Sequence, residues 1–325
     1  MVTTKLGRSR LLNSLFGLIT LCLPAVAQPG DHSYTFGAIP LSKEEYQRYL
    51  KTTPSRELQG LEATLPTAYN AADLGFVTPA KAQGLCSACW AFTLVGAMES
   101  KLLMSGVRPV GSPLDLSEQQ QVSCNTQQFG CRGGYMTAAL FWSPPPNPNF
   151  GPLPESVFPY SASNAPCHNP AGSQINVRVI DYYTLPVSIA EYKNSLYKDG
   201  PSLLVYTIFE DFVTFWESAP LNSVYKYKEG FIEGIHAVLL IGWDDEKQAF
   251  LLKNSWGEKT GPNGNGTFWM SYGGMEVLDV EMSNFRIRVE DPPPPTPIPS
   301  TADWALALIS LSLLLISLQS LRRRI

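Results

Sequence analysis

Long apolar runs occur at several points of the 325-residue chain, and each run predicts a different element. Residues 11–23 are apolar after a basic start and precede an Ala-Val-Ala site, which is typical of a secretory signal peptide over residues 1–27. Residues 89–103 contain no proline and are apolar on most faces, so they predict a helix buried through a domain. His236 opens an apolar run over residues 237–243, which predicts a buried strand.

The C-terminal end carries a second membrane signal. Residues 290–301 are proline-rich and predict a stiff linker. Residues 302–321 are almost wholly Leu, Ile, Ala and Ser, with Trp304 near one edge, and predict a transmembrane helix close to the lower length limit. Three arginines in the tail 322–325 should stay cytoplasmic, so the bulk of the chain should face outward. A buried amphipathic helix and a glycolipid-anchor signal are less consistent alternatives, because no polar stripe is present and the chain ends in arginines.

The same tail has a recognisable arrangement of short motifs. Ile-Pro-Ser-Thr at 298–301 and Asp-Trp-Ala-Leu at 303–306 precede the Leu-rich run and the arginines. This arrangement resembles bacterial C-terminal sorting tails of the IPTL type, over about the last thirty residues. The resemblance implies a bacterial cell-envelope protein whose tail could be removed by a sorting protease.

The net charge limits the classes of partner, and the length limits the number of domains. The formal net charge is -4, and no basic run occurs outside the two termini, so nucleic-acid binding is not indicated. Hydrophobic residues make up 44% of the chain, an ordinary globular value, and the length suits one large or two modest domains.

The cysteine count predicts one thiol that is not part of a disulfide. Removal of Cys22 with the signal peptide leaves five cysteines, so an exported chain would form two disulfides and keep one free thiol. Cys86 and Cys89 have a C-x-x-C spacing, but no second pair is spaced for a zinc site and no βαβ context supports a redox motif. The sequence therefore predicts no metal and no other cofactor.

Cys89 lies where a thiolate would be favoured. It begins the predicted buried helix, so free backbone N–H groups and the helix dipole would stabilise a negative charge on its sulfur. The chain has three histidines, His32, His168 and His236. His236 is the best candidate for a cationic partner of the thiolate, although a histidine at the start of a core strand is more often structural.

Five sequence blocks together match one family. Residues 83–92 read Gln-Gly-Leu-Cys-Ser-Ala-Cys-Trp-Ala-Phe and resemble the active-site segment of papain-like cysteine peptidases, with a serine replacing the glycine of the usual signature. Later blocks at 116–124, 130–135, 236–238 and 252–257 resemble the rest of the family pattern in the same order. The resemblance extends over residues 65–289. His236 follows Cys89 by 147 positions and Asn254 follows it by 165, against roughly 130–150 in the family, which indicates a small insertion.

The resemblance implies an α+β fold with two subdomains and an active-site cleft between them. The helical half would cover residues 65–170 and the β-rich half residues 171–289. Cys89 would be the nucleophile and His236 its imidazolium partner. Asn254 would orient the histidine, and the Gln83 amide would complete the oxyanion hole.

Further features follow from the same resemblance. The disulfides would pair Cys86 with Cys131 and Cys124 with Cys167. Substrates would be proteins or peptides. Trp256 would shield the histidine–asparagine hydrogen bond, and the substrate would contact it and five residues of the cleft: Gly133, Gly134, Tyr135, Met136 and Ile235. The last three are largely apolar, so a hydrophobic substrate residue is expected at P2, two positions before the cut.

Residues 28–64 are expected to form a pro-segment shorter than is common in the family. Within it, residues 41–50 have helical composition with Ser42 as a possible N-cap, and this segment could either block the cleft or form an ordered arm. The insertion at 143–148 carries no histidine pair that could anchor a substrate terminus, which favours an endopeptidase. A transpeptidase on the same fold and an inactive binding module remain as alternatives, and the presence of all four catalytic-type residues argues against the second.

Overall fold

The computed structural model describes residues 34–40, 42, 44, 65–143 and 151–289. Within these ranges, no helix is both long and apolar enough to cross a membrane. The predicted signal peptide, linker and membrane helix lie outside the described residues, as does nearly all of the helix predicted at 41–50.

The described residues contain helices mainly in the first half and strands mainly in the second. The α-helices are α1 Cys89–Met104, α2 Glu118–Cys124, α3 Ile189–Asp199 and α4 Glu210–Ser218, and short 3₁₀ helices cover Gly130–Arg132, Met136–Trp142 and Tyr272–Gly274. The strands are β1 Ala68–Asn70, β2 Val177–Leu185, β3 Ser202–Phe209, β4 Val224–Tyr225, β5 Ile232–Asp244, β6 Ala249–Lys253, β7 Thr267–Ser271 and β8 Glu281–Val289. This is the α+β arrangement that the sequence predicts.

Helix α1 passes through the interior, as its apolar sequence predicts. Every residue from Cys89 to Leu103 is buried. Three of its polar side chains have partners: Ser100 donates to the Gly96 carbonyl at 2.9 Å, Glu99 accepts from Lys81 at 2.9 Å, and Lys101 donates to the Asn284 side-chain oxygen at 2.8 Å. A helix buried on all sides can carry such groups only when their hydrogen bonds are satisfied inside the protein.

One eight-stranded sheet forms the framework of the second half. Its strand order is β2-β8-β3-β5-β6-β7-β4, and the short β1 from the first half pairs with β5. All pairings are antiparallel except that of β4 with β7. Strand β5 is thus bonded to β1, β3 and β6, which fixes its position firmly. It starts four residues before His236, earlier than the apolar run alone suggests.

Two cores lie on opposite faces of this sheet, and alternation along β5 assigns its side chains to them. Ala237, Leu239 and Ile241 face the first core, which includes α1, whereas Val238 and Leu240 face the second. A register shift between Leu240 and Gly242 then changes the alternation. Because of that bulge, Trp243 also points into the second core, which is rich in aromatic side chains.

Two disulfides crosslink the first half. They join Cys86 to Cys131 and Cys124 to Cys167, the pairing that the family resemblance implies. Cys89 is the free cysteine and is buried. The bridges span 45 and 43 positions of sequence, so each one ties a helix of this half to a distant loop.

Candidate active site

The free thiol lies at the start of a helix, as its sequence position predicts. Cys89 is the first residue of α1, and the Gly37 backbone N–H donates to its sulfur at 3.2 Å. The sulfur also meets the backbone amides of Ala237 and Trp90. Burial raises the pKa of the thiol to about 11, although these N–H groups act in the opposite direction. The contact with Ala237 places the sulfur against the residue that follows His236.

His236 is held by an asparagine from the neighbouring strand connection. Its Nε2 lies 2.7 Å from the Asn254 side-chain oxygen, and Asn254 directly follows β6. The Ser255 backbone N–H donates to the same oxygen at 2.8 Å, which identifies that atom as the amide oxygen. Nε2 must therefore carry the hydrogen, and Nδ1 is left as the nitrogen that can accept a proton.

The proton-accepting nitrogen is available. Nδ1 of His236 is buried and makes no hydrogen bond to any described residue. Burial lowers the pKa of the imidazole to about 4, while the hydrogen bond to Asn254 opposes that shift. In this closed state both the thiol and the imidazole are therefore neutral at pH 7. A more hydrated cleft would raise the charge on both groups, because desolvation is the main cause of both shifts.

Aromatic rings cover the histidine–asparagine pair. The Trp256 ring lies 4.9 Å from the His236 ring, measured between centroids, at an interplanar angle of 32°. Trp216 and Phe212 pack behind Trp256 at 5.2 and 5.9 Å. Water is thereby kept away from the hydrogen bond between the imidazole and the amide, which strengthens it.

Gln83 presents a fixed amide donor beside Ser255, the residue that follows Asn254. Its backbone N–H donates to the Ser255 carbonyl at 2.8 Å, and its side-chain oxygen accepts from the Ser255 hydroxyl at 2.7 Å. Tyr160 donates to the Gln83 carbonyl at 2.8 Å. These contacts aim the side-chain NH₂ group at the Thr35 carbonyl, 3.0 Å away. An amide fixed in this way can donate to a carbonyl oxygen without reorganising first.

A segment from before residue 65 occupies the cleft. Residues 34–40, here called the arm, pair with Gly134: its carbonyl accepts from the Ile39 N–H at 3.0 Å, and its N–H donates to the Gly37 carbonyl at 2.9 Å. On the other side, the Ala38 N–H donates to the Ile235 carbonyl at 3.2 Å. The bridge between the arm and Gly134 is parallel.

The arm fits closely over the Cys89 thiol and the His236 ring. A Cβ atom at Gly37 would overlap with the Ser87 carbonyl, so only glycine fits beside the thiol. Tyr34 stacks on Trp256 with ring centroids 4.3 Å apart, and Phe36 meets the edge of His236 at 5.9 Å. The thiol, the imidazole and Trp256 are thus all covered by the arm.

The remaining predicted site residues occupy different places. Gly133 and Gly134 lie against the arm, and Tyr135 and Met136 line a pocket that also holds Ile39. Ile235 is absent from that lining and contributes its carbonyl to the arm instead. His168 faces the Phe158 ring, outside the site. The sequence alone did not indicate the contacts of the arm or those of Ser255 with Asn254 and Gln83. The Asn-Ser-Trp block contains Ser255 and could have indicated it. The arm carries no motif that could have indicated its position.

Comparison with known proteins identifies the family of this chain. The chain belongs to the papain family of cysteine proteases, whose family model matches residues 65–285. It is therefore a cysteine peptidase, a hydrolase. It is 30% identical over 277 residues to cathepsin O of Homo sapiens, a match that covers 80% of this chain and 78% of the relative. It is also 30% identical over 262 residues to cathepsin K of Mus musculus, covering 73% of this chain and 74% of that protein.

Solved structures share the fold. A digestive procathepsin L2 from the larval midgut of Tenebrio molitor superposes with a TM-score of 0.61 at 26% identity, covering 78% of each chain. A procathepsin B from Trypanosoma congolense gives a TM-score of 0.63 at 19% identity, covering 78% of this chain and 87% of that one. Both of these structures are of pro-forms.

Proposed function

We propose that this protein is an exported cysteine endopeptidase that cuts peptide bonds through Cys89 and His236. The observation that carries the proposal is the arrangement of His236, whose Nε2 hydrogen is held by Asn254 while Nδ1 is free to exchange a proton with a neighbouring thiol. The roles of Cys89, His236, Asn254 and Gln83 rest on this geometry and on the family's sequence blocks.

The proposed reaction uses each group at a defined atom. Nδ1 of His236 takes the thiol proton, and the Cys89 sulfur attacks the carbonyl carbon of the substrate. The Gln83 amide and the Cys89 N–H stabilise the negative oxygen that forms. The proton on Nδ1 passes to the departing amine as the C–N bond breaks, which leaves a thioester on Cys89. Water then attacks the thioester, regenerates the thiol and releases the acid product.

We further propose that the arm holds the enzyme as a zymogen. It occupies three groups that a substrate would use: the thiol, the Gln83 amide and the backbone of Gly134. It also keeps the site dry, and this burial raises the pKa of Cys89 to about 11, so the thiol is largely un-ionised at pH 7. Cutting the chain between the arm and Leu65 would open the cleft.

The preferred substrate and the location of the enzyme are proposals of the same kind. The Ile39 side chain lies among Tyr135, Met136 and Tyr182, which supports a hydrophobic residue at P2. Two disulfides suit an oxidising compartment. Anchoring through the helix predicted at 302–321, a bacterial envelope location and tail removal by a sorting protease rest on the sequence of the tail alone.

A peptide-cleavage assay tests the catalytic proposal. Wild type and Cys89→Ala, each before and after limited proteolysis of the arm, would be given a pool of internally quenched peptides in reducing buffer. We expect cleavage only by the trimmed wild type, at a rate at least ~10³-fold above that of the alanine variant. Equal rates in the two proteins would refute the role of Cys89. An inert wild type, even with added amine acceptors, would favour the binding module, whereas products joined to the acceptors would indicate a transpeptidase.

A substitution at Gly37 tests whether the arm protects the Cys89 thiol. Gly37→Ala should displace the arm, because the added methyl group overlaps with Ser87 and overpacking typically costs about 1–3 kcal/mol. Alkylation of Cys89 by iodoacetamide in the untrimmed protein should therefore be about 5- to 150-fold faster than in wild type. Ala38→Gly is the companion variant: it removes a buried methyl group instead of adding one that overlaps with backbone, so its rate should rise less than that of Gly37→Ala. Equal alkylation rates for Gly37→Ala and wild type would show that the arm does not protect the thiol.

A further inference from the structure

A wide groove lies beside α4, and none of its lining residues belongs to the candidate active site. Its volume is about 1000 Å³, and it is formed by α4 and the segment 219–231, which leads from that helix to β5. Apolar side chains in its lining include Phe215, Val224 and Phe231. The Phe231 ring is 84% exposed, and Leu221 in the same segment is 70% exposed. A groove bordered by such exposed apolar side chains indicates a surface that binds a partner.

Hydrogen bonds hold the two walls of the groove together. The Asp211 carboxylate accepts from the Tyr225 hydroxyl at 2.8 Å and from the Lys228 backbone N–H at 2.9 Å, so it joins α4 to the opposite wall. The Glu210 N–H donates to the Phe231 carbonyl at 3.0 Å, which ties the start of α4 to the residue before β5. Because the walls are already ordered, a partner would lose little affinity to the entropy of ordering them.

The chain itself contains a segment that suits such a groove. Six of the eight residues at 292–299 are proline, which predicts a polyproline II helix in a part of the chain outside the described residues. Helices of this kind dock in grooves lined by aromatic rings, because they are already rigid before binding. Phe215 and Phe231 supply such rings.

Charge also favours this segment. Glu290 and Asp291 come directly before the prolines, and no basic residue occurs between positions 291 and 321. Lys226 and Lys228 in the lining are exposed, and neither forms an ion pair with any described residue. Two acids, Glu210 and Glu229, also border the groove. Exposed ion pairs contribute little energy, so contact with the rings should provide most of the affinity.

Strand directions place the groove and the proline-rich segment at opposite ends of the sheet. Strands β5 and β8 both pair antiparallel with β3, so they run in the same direction. The groove residue Phe231 comes just before β5, whereas the proline-rich segment follows β8. The segment therefore leaves the sheet at the end away from the groove.

The register gives the size of this separation. Leu203 of β3 pairs with Leu239 of β5 on one side and with Ser283 of β8 on the other. Phe231 is eight residues before Leu239, and Val289 is six residues after Ser283, which makes roughly 45 Å along the strands. A polyproline helix extends about 3.1 Å per residue, so the last proline would lie about 31 Å from Val289. The segment is too short to fill the groove of its own chain.

We propose that this groove binds the proline-rich segment 292–299 of a second copy of the chain, so that copies associate head to tail. A contact between two different surfaces leaves a free groove at one end and a free segment at the other, so it continues into a row of copies. Anchoring of the copies on one membrane, as proposed above, would raise their effective concentration and favour such rows.

A fluorescent peptide of residues 289–301 measures binding to the groove. The full chain would carry Cys89→Ala, which prevents self-cleavage, and fluorescence anisotropy would be recorded in a non-ionic detergent. We expect Phe231→Ala to weaken binding about 10- to 30-fold, because a few aromatic side chains carry most of the affinity of an interface. A peptide with serine in place of the six prolines should not bind. Tyr197→Ala is the matched control: it changes a ring that is 45% exposed outside the groove and should leave binding unchanged. Equal binding by Phe231→Ala and its parent would overturn the proposal.

A mixture of two variants tests whether the partner is a second copy. Phe231→Ala retains the segment and lacks the ring, whereas a chain with serine at positions 292–295 retains the groove and lacks the rigid segment. In sedimentation velocity, the parent should form species larger than dimers as its concentration rises, and each variant alone should stay monomeric. An equimolar mixture of the two variants should form dimers and nothing larger, because only one intact pair of surfaces remains.

Other results would contradict the proposal in different ways. Peptide binding that appears only in the chain with serine at 292–295 would show that each chain fills its own groove. A peptide that binds neither the parent nor that variant would show that the groove has another occupant. A parent that binds the peptide but stays monomeric would overturn the head-to-tail association. None of these results bears on the peptidase proposal, because every protein in the test carries Cys89→Ala.

Discussion

The two halves of the molecule hold the groups proposed for catalysis by different means. The helical half, which carries Cys89 and Gln83, is crosslinked by two disulfides. The sheet half, which carries His236 and Asn254, contains no cysteine between residues 177 and 289. It depends on strand pairing and on a dense group of rings around Phe212: Tyr206, Trp216, Tyr225, Trp256 and Phe268.

The difference follows from the kind of backbone in each half. Strand β5 positions His236 through the paired backbones of its neighbours, with Tyr206 directly opposite. Cys89 follows a loop that has no ladder to hold it, and that loop is tied down through Cys86, whose partner Cys131 accepts from the Ser87 N–H at 3.2 Å. A loop loses much conformational entropy on ordering, and a crosslink reduces that loss. The sheet half should therefore be sensitive to lost packing and the helical half to reduction.

The largest effect is expected from Phe212→Ala. Phe212 is fully buried, with ring centroids 4.9 Å from Tyr225 and 5.1 Å from Phe268. The substitution should lower the free energy of unfolding by about 3–5 kcal/mol, through lost burial and the cavity left behind. Urea denaturation measures it. Phe231→Ala is the matched control, because that ring is 84% exposed and its loss should change stability by no more than about 0.5 kcal/mol. A loss below 1 kcal/mol for Phe212→Ala would mean that these rings contribute little to the stability of the sheet half.

Much of this organisation is predictable from the sequence, and the reason is local pattern. The uninterrupted apolar run after Cys89 predicts α1, and the run after His236 predicts the inner part of β5. Strand β1 is not predictable in this way, because three residues without a period join the sheet only by pairing with β5. The outer end of β5 is likewise defined by pairing with β3 and not by its own composition.

Local sequence pattern also predicts only part of the site. The family's blocks indicate Cys89, His236 and Asn254 because each block is contiguous in the sequence. The pocket around Ile39 is assembled from the arm, the segment 135–137 and three strands, so no local pattern marks Glu281 as part of it. The sequence suggests that residues 41–50 either block the cleft or form an ordered arm, and nearly all of this segment lies outside the described residues. The structure places residues 34–40 in the cleft, where the fit of Gly37 depends on Ser87 and Cys89, which are 50 and 52 positions away.

A smaller effect is expected from removal of one crosslink. Replacing both Cys124 and Cys167 by serine opens a link across 43 positions and should lower the free energy of unfolding by about 2–4 kcal/mol. Hydrogen exchange would locate the loss: amides of α2 should exchange faster, while those of β5 should keep their protection relative to global unfolding. Wild type in reducing buffer is the companion sample. Equal loss of protection in α2 and β5 would show that the disulfide supports both halves alike.

The smallest effect compares one helix cap from each half. Ser117 caps α2 by accepting from the Gln120 N–H at 3.0 Å, and its buried hydroxyl also donates to the Phe158 carbonyl at 2.6 Å. Ser188 caps α3 by accepting from the Glu191 N–H at 3.4 Å. Ser117→Ala should cost about 1–2 kcal/mol and Ser188→Ala about 0.5–1 kcal/mol, since only the first leaves a buried carbonyl without its donor. Urea denaturation of both variants measures the two losses in the free energy of unfolding. If Ser188→Ala proved as costly as Ser117→Ala, the bond from Ser117 to the Phe158 carbonyl would contribute nothing measurable to the stability of the helical half.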